Sequence, residues 1–246
     1  MAAKGVSAAL LATSNPAPMD LTTIRSDAPC ELWLAHLDAP IAEDALACLS
    51  TEERARADRF AFARDRHRYI SAHVALRRVL SAAVDCAANE LSFELGPAGK
   101  PRLADHQGCQ FNLSHSDQFG LVAVSHDAEI GVDLEVLRPM PDWSALARAH
   151  FSPAEFSALA QTADARTRDK AFLFGWTRKE AGLKAIGIGL DHDLRAIEAG
   201  VSADAGELSV VIAGKTIQLS LHSFAADGLF VGSVACVRGR APAMLQ

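Results

Sequence analysis

Two carboxylates stand two positions apart on a predicted β-strand, Ile130–Val136. Strict alternation places Asp133 and Glu135 on one face of this strand and the large apolar residues on the other. Buried carboxylates repel each other and lose hydration, so a positive group between them is needed. A divalent cation is the simplest such group, and oxygen ligands favour Mg²⁺, Mn²⁺ or Ca²⁺ over zinc. The alternative is an edge strand whose polar face meets water, and for this strand alone that alternative is favoured.

A second pair of charges lies on a long helix predicted from about Thr167 to Ala185, ending at Gly187. On a helical wheel Glu180 and Lys184 share one narrow face with apolar residues, namely Leu173, Trp176 and Leu183. An exposed pair at this spacing would be ordinary and would contribute only ~0.3–0.5 kcal/mol. Within an apolar stripe the same pair is costly unless it has a function there. The pattern therefore indicates a functional role for both charges.

A basic region precedes these elements. Between Thr51 and Arg78 eight arginines stand against four acidic residues, a local balance of +4 in a chain of net charge -6. The planar guanidinium group suits phosphate, although a solvated helix face is an equally good interpretation. Further on, Lys100 is held between a glycine and a proline, and Ser114 and His115 lie in Asn112–Ser116, the predicted end of a strand. Strand ends are common ligand positions.

The elements that must position these residues repeat along the chain. Ser50 with Glu53 and Ser152 with Glu155 form two capping boxes, each followed by a predicted long helix. We therefore expect an α+β fold of two similar lobes in a pseudo-twofold arrangement. The predicted boundaries are a flexible leader at 1–28, an N-terminal lobe at 29–125 and a C-terminal lobe carrying the metal site at 126–246. The strands at 121–125 and 129–136 are predicted to form an antiparallel pair.

Composition narrows the classes of function. The net charge of -6 and pI near 5.8 argue against a general nucleic-acid or membrane-surface binder. Five cysteines without any C-x-x-C indicate reduced thiols in a cytoplasmic protein rather than disulfides or a zinc site. No apolar run reaches the ~18–20 residues of a membrane span. An Ala/Pro-rich leader is favoured over a signal peptide at the start of the chain.

Taken together, the motifs resemble those of the 4′-phosphopantetheinyl transferases. The matching segments, which extend the similarity over about residues 30 to 240, are Glu53–Phe60, Arg64–Leu76, Gly99–Pro101, Phe111–Ser116, Gly131–Glu135 and Trp176–Lys184. Their order and spacing are similar to the long, two-lobed surfactin-synthetase-activating type. The resemblance implies transfer of the phosphopantetheine arm of coenzyme A to a serine of an apo acyl or peptidyl carrier protein, with release of 3′,5′-ADP. It also implies a monomer that serves fatty-acid, polyketide or non-ribosomal peptide synthesis.

The resemblance also assigns roles to individual residues. Asp133, Glu135 and Glu180 would hold Mg²⁺, with Mn²⁺ possible, and Glu180 would take the proton of the incoming serine, directly or through a water. Lys184 would contact the pyrophosphate. The residues implied to bind the other parts of coenzyme A are Arg54, Arg56, Ser114 and His115 for the phosphates and Lys100 and Pro101 around the adenine.

Three positions carry a further expectation. Gly131 should leave room for the pyrophosphate and its metal. Members of the family often have a basic residue where Glu53 stands, so the phosphate site here must rely on its neighbours. Arg59 and Arg68 are interpreted equally well as ion pairs that pack the lobe.

Two other classes of function remain open at this point. One is a non-catalytic module that binds coenzyme A or a carrier protein, and the other is a metal-dependent phosphohydrolase or nuclease. The complete set of Asp133, Glu135, Glu180 and Lys184 argues against the first, since a binder needs no base beside its metal. The acidic balance of the chain disfavours long nucleic acid as a substrate.

Overall fold

The computed structural model describes residues 21–96, 98–189, 192–204, 206–226 and 228–239. The predicted leader is wrong in its last part, because Leu21–Ile24 forms strand β1 and pairs antiparallel with Glu31–His36, strand β2. Ile24 is buried in the same apolar cluster as Leu32, which explains why this segment is held on the sheet. Residues 1–20 of the predicted leader lie outside the described residues.

The N-terminal lobe is a four-stranded antiparallel sheet covered by two helices. The sheet has the order β1-β2-β6-β5. Its remaining elements are α1 (Thr51–Ala57), α2 (Ala63–Val84), the small two-stranded sheet β3 (Phe93–Leu95) with β4 (Pro101–Leu103), β5 (Gln110–Ser116) and β6 (Phe119–Ser125). Leu76 and Leu80 of α2 pack against Phe111 and Val122 of the sheet, so the apolar stripe of the helix forms the core of this lobe.

The C-terminal lobe repeats this arrangement of a sheet and helices. Its sheet has the order β7-β10-β9-β8. Its elements are β7 (Ile130–Val136), α3 (Trp143–His150), α4 (Pro153–Gln161), α5 (Ala165–Ile186), β8 (Gly206–Ile212), β9 (Lys215–Ala226) and β10 (Phe230–Val237). Helix α5 packs against β7 and β10 and ends at Gly187, which adopts the left-handed conformation. The prediction of an α+β fold with two lobes is confirmed.

Both predicted capping boxes are present. The Ser50 hydroxyl accepts from the Glu53 amide at 3.2 Å, and the Glu53 carboxylate accepts from the Ser50 amide at 2.8 Å. Ser152 and Glu155 make the same two bonds ahead of α4, at 3.2 and 2.8 Å. Each box satisfies amides at the start of a helix, so these sequence patterns fix where α1 and α4 begin.

The predicted antiparallel pair of β6 and β7 is wrong. Strand β6 lies between β2 and β5, so both of its edges are already paired and β7 joins the other sheet beside β10.

Side chains of β5 meet β7 instead, in a contact that we call the β5–β7 seam. In this seam Asn112 Oδ1 accepts from the Val132 amide at 2.9 Å, the Ser114 hydroxyl from the Leu134 amide at 3.3 Å, and the Ser116 hydroxyl from the Val136 amide at 3.2 Å. The two lobes are therefore joined by side-chain to main-chain hydrogen bonds.

Within the described ranges, no helix combines the length and the apolar character needed to cross a membrane.

Candidate active site

Four charged side chains from two elements meet beside the β5–β7 seam. Strand β7 contributes Asp133 and Glu135, and helix α5 contributes Glu180 and Lys184. The Lys184 ammonium lies 2.6 Å from Asp133 Oδ1. Asp133 and Glu180 are only 6% and 8% exposed, so the carboxylates stand in a largely desolvated site. The two charges that seemed misplaced in the apolar stripe of α5 therefore face the carboxylate strand.

Burial perturbs the protonation of both buried carboxylates. It raises the pKa of Asp133, and the Lys184 ammonium and the Ser114 hydroxyl offset part of that effect. Burial, with repulsion from Asp133 and Glu135, raises the pKa of Glu180 to about 7, while Lys184 acts in the opposite direction. Glu180 can therefore take up or release a proton near neutral pH.

Among the described residues no group of three or more His, Cys, Asp and Glu side chains is gathered closely enough to hold a metal ion. The chemistry of the donor set nevertheless fits a divalent cation. Asp133 Oδ2 is buried and has no hydrogen-bond partner among the residues that the structure describes, although Oδ1 of the same carboxylate has two. Three carboxylates face the Lys184 ammonium and, at Glu135, the Arg138 guanidinium, so the site holds more negative than positive groups. Hard oxygen ligands suit Mg²⁺ or Mn²⁺. Asp133, Glu135 and Glu180 therefore have the donor chemistry for such an ion, although they are not gathered into a ligand cluster in this structure.

Gly131 has a different role from the one expected. A Cβ atom at this position would lie 2.2 Å from both Ala181 O and Ala185 N of helix α5. The glycine therefore makes room for the backbone of α5 and not for a substrate. This close approach brings Glu180 and Lys184 over the carboxylate strand.

Ser114 and His115 lie in the last part of β5, which ends at Ser116 as predicted. Ser114 is buried and donates to Asp133 Oδ1 at 2.8 Å. Partial burial and the nearby Lys184 ammonium lower the pKa of His115. Ser116, which the sequence reasoning missed, donates to Glu135 Oε2 at 2.8 Å. The sequence feature that could have indicated this contact is the alternation that places the polar residues Asn112, Ser114 and Ser116 on one face of a strand.

A cleft leads from the helices of the N-terminal lobe to Lys184. It consists of two adjoining cavities of about 670 and 250 Å³ that share Gly99, Pro101, Asn112 and Leu113. The larger cavity contains Arg56, whose guanidinium lies 5.7 Å from the centre of the Tyr69 ring, and the smaller contains Lys184. Arg56, Pro101 and Lys184 thus line one continuous cleft.

The charged groups of Arg54 and Lys100 are directed to acceptors of the protein itself. Arg54 donates to Leu46 O at 2.5 Å and Leu49 O at 3.2 Å, in the turn before α1. The Lys100 ammonium is buried, 2.8 Å from Glu129 and 2.9 Å from Ile130 O. Arg54 is therefore not among the residues that line the cleft, whereas Lys100 lines its smaller cavity but directs its ammonium to these acceptors.

Other predicted cations take part in ion pairs within the N-terminal lobe. Arg68 donates to both carboxylate oxygens of Asp38, at 2.6 and 2.8 Å, and also contacts Asp117. This arrangement agrees with the packing interpretation of Arg68. Glu53, besides capping α1, lies 2.8 Å from the guanidinium of the buried Arg77. An acidic residue at this position is thus explained by a structural ion pair.

A buried pair that the sequence reasoning missed holds α5 in place. Lys179 is fully buried, and its ammonium lies 2.8 Å from Glu155 Oε2 and 2.8 Å from Leu194 O, with a further contact to Ile197 O. The other oxygen of Glu155 accepts from the Ala199 amide at 2.8 Å. The pair ties α4, α5 and the following segment together on the side of α5 away from Lys184. The sequence feature that could have indicated this buried pair is a lysine directly before Glu180 on the predicted helix.

This fold and site define the chain as a member of the 4′-phosphopantetheinyl transferase superfamily. The superfamily model matches residues 129–236, and the model described as 4′-phosphopantetheinyl transferase, N-terminal, matches residues 39–127. A putative 4′-phosphopantetheinyl transferase of Synechocystis sp. is 38% identical over 169 residues, covering 68% of each chain. The transferase HetI of Nostoc sp. is 38% identical over 180 residues, covering 71% of this chain and 75% of HetI. The transferase Sfp of Bacillus subtilis is 28% identical over 185 residues, covering 73% and 80%.

Proposed function

We propose that this chain transfers the 4′-phosphopantetheine arm of coenzyme A to a serine of an apo acyl or peptidyl carrier protein and releases 3′,5′-ADP. Membership of the family supports this activity. The observation that carries the proposal is the meeting of Asp133, Glu135, Glu180 and Lys184 at one end of an Arg-lined cleft. This set combines carboxylates, a cation for phosphate and a group that can accept a proton near pH 7.

Each protein group has a role that follows from its position. The Lys184 ammonium, at the cleft end, attracts the pyrophosphate of coenzyme A, and Arg56 at the other end attracts its remaining phosphate. Glu180 accepts the proton of the serine hydroxyl as the serine oxygen attacks the phosphorus that carries the pantetheine arm. In the metal-free protein, burial and the neighbouring carboxylates raise the pKa of Glu180, which strengthens it as a proton acceptor.

A divalent cation completes the charge balance of the proposed reaction. Asp133, Glu135 and Glu180 would hold Mg²⁺, or Mn²⁺ in its place. When bound, the cation would supply positive charge that stabilises the 3′,5′-ADP leaving group. The buried and unpartnered Asp133 Oδ2 supports this assignment.

A mass measurement on a carrier protein tests the proposal. The purified chain is incubated with an apo carrier protein, coenzyme A and Mg²⁺, and the carrier is weighed intact. We expect the carrier to gain one phosphopantetheine group with the chain present, and to gain none with Asp133→Asn or with a chelator. Glu207 lies on β8 and forms an exposed ion pair with Arg238. Glu207→Gln is the matched control and should transfer normally.

The outcomes separate the proposal from the other functions. A carrier that never gains the group would refute transfer. Release of phosphate or ADP without labelling of the carrier would support a phosphohydrolase instead. The cytoplasmic location, the monomeric state and the type of carrier stay predictions from the sequence.

A further inference from the structure

Ser114 and Ser116 make the same pair of hydrogen bonds one after the other along the β5–β7 seam. Ser114 accepts from the Leu134 amide at 3.3 Å and donates to Asp133 Oδ1 at 2.8 Å. Ser116 accepts from the Val136 amide at 3.2 Å and donates to Glu135 Oε2 at 2.8 Å. Each hydroxyl of the N-terminal lobe therefore connects a carboxylate of the C-terminal lobe to the main chain of the residue that follows it.

This pair of hydrogen bonds fixes the orientation of the carboxylate. A hydroxyl has a single proton, so a serine whose oxygen accepts from an amide still has that proton available for the carboxylate. Because the amide belongs to the rigid strand β7, the hydroxyl and the carboxylate oxygen it contacts are held at defined positions. Hydrogen bonds to ionised groups are short and strong, which makes the orientation well defined.

At Glu135 the two oxygens are treated differently. Oε2 accepts from Ser116 at 2.8 Å and from Arg138 at 2.7 Å. Oε1 accepts no hydrogen bond from the residues that the structure describes. At Asp133, Oδ1 is taken by Ser114 and Lys184, and Oδ2 is without a partner. On both residues one oxygen is held by the protein and the other is left uncommitted.

We propose that Ser116 is a positioning residue that holds Glu135 with one oxygen free to bind the divalent cation. The inference rests on the proposed function, since it assumes the metal role of Glu135. It goes further by placing a support of the metal site in the other lobe. Such supporting partners of metal ligands change metal affinity by about 10–100-fold when they are removed. Arg138 is 47% exposed at its side chain and shares Oε2, so Ser116 is the more shielded of the two donors.

Binding of Mn²⁺ to the purified full chain, followed by electron paramagnetic resonance, tests this role without any transfer assay. We expect Ser116→Ala to raise the Mn²⁺ dissociation constant about 10-fold. Ser116→Thr keeps the hydroxyl and should restore binding. In transfer assays Ser116→Ala should need more Mg²⁺ for the same kcat, with the KM for coenzyme A unchanged.

Ser125→Ala is the matched control. Ser125 is buried on β6 and accepts from two amides, at 3.3 and 3.2 Å, but contacts no carboxylate. Its loss should leave Mn²⁺ binding unchanged. Equal weakening in Ser125→Ala and Ser116→Ala would overturn the proposal, because the effect would then be general destabilisation.

The remaining outcomes also support or overturn the positioning role of Ser116. A folded Ser116→Ala that binds Mn²⁺ like the wild type overturns the positioning role and leaves the proposed function intact. A wild-type chain that transfers phosphopantetheine but binds no Mn²⁺ overturns the metal assignment together with this inference. If Ser116→Ala does not fold, Ser116→Cys serves instead, since it keeps the size but is a weak donor. Weakened Mn²⁺ binding by Ser116→Cys supports the proposal, and unchanged binding overturns it.

Discussion

Replacing Glu180 by glutamine should stabilise the metal-free protein while it abolishes transfer. The Glu180 side chain lies in a site that already holds Asp133 and Glu135, and burial with their repulsion raises its pKa from 4.5 to about 7. The folded protein therefore resists ionisation of this group. Glutamine has nearly the same shape and carries no charge. The variant therefore avoids the free-energy cost of a buried charge at this position, but it lacks the proton acceptor.

The size and the pH dependence of the effect follow from the pKa. Each pKa unit corresponds to about 1.4 kcal/mol, so the shift from 4.5 to about 7 destabilises the ionised folded state by about 3 kcal/mol at most. Below the unfolded pKa of 4.5 the carboxyl is protonated in both states and the cost is absent. Between pH 4.5 and 7 the folded state binds more protons, so stability falls as pH rises. The full cost is present above pH 7.

Thermal unfolding of the metal-free wild type and of Glu180→Gln at pH 5 and pH 8 measures how much ionised Glu180 destabilises the folded protein at each pH. For a chain of this size ~1 kcal/mol moves Tm by about 2–4 °C. We expect a higher Tm for the variant at pH 8 and a much smaller difference at pH 5. Glu207→Gln is the control, because this carboxylate lies in an exposed ion pair with Arg238 and does not act on Glu180, so its replacement should change Tm little at either pH. A Glu180→Gln variant no more stable than the wild type at pH 8, or equally stabilised at both pH values, would refute the reasoning.

Two further predictions concern the packing of α5. Gly131→Ala should cost at least ~3 kcal/mol, since the new Cβ would lie 2.2 Å from main-chain atoms of α5. A urea midpoint like that of the wild type would show that the helix can move away. Lys179→Met should cost ~3–5 kcal/mol because it leaves Glu155 charged and buried, and adding Glu155→Gln should recover part of the loss. Urea denaturation of both variants measures this, and a double variant less stable than Lys179→Met would contradict it.

The charge pattern of α5 was informative because burial follows from helical periodicity. The wheel placed Glu180 and Lys184 on the buried face, and the structure confirms that both face the carboxylates of β7. Capping boxes were equally reliable, since the residues that form them lie within one turn. These features depend on short-range geometry, which the spacing of residues in the sequence defines.

The errors arose where a distant group decides the outcome. The connection between β6 and β7 is short enough for a hairpin, and only the pairing of both edges of β6 rules it out. Gly131 alternates onto the carboxylate face, but the backbone of α5 occupies the space beside it. Arg54 was expected at a phosphate and Lys100 near the adenine, but acceptors of the protein itself take up their hydrogen bonds. These acceptors are main-chain carbonyls for Arg54, and the Glu129 carboxylate with main-chain carbonyls for Lys100. The spacing of residues in the sequence does not show where such acceptors lie.

The β5–β7 seam also bears on how the two lobes depend on each other. Strand β7 is the outer strand of its sheet, and such edge strands expose unpaired amides that promote association with other chains. Here Asn112, Ser114 and Ser116 cover those amides from within the same chain. A C-terminal lobe produced alone would expose this edge together with its carboxylates. The N-terminal lobe therefore supplies hydrogen-bond acceptors that the C-terminal lobe cannot supply for its own edge strand.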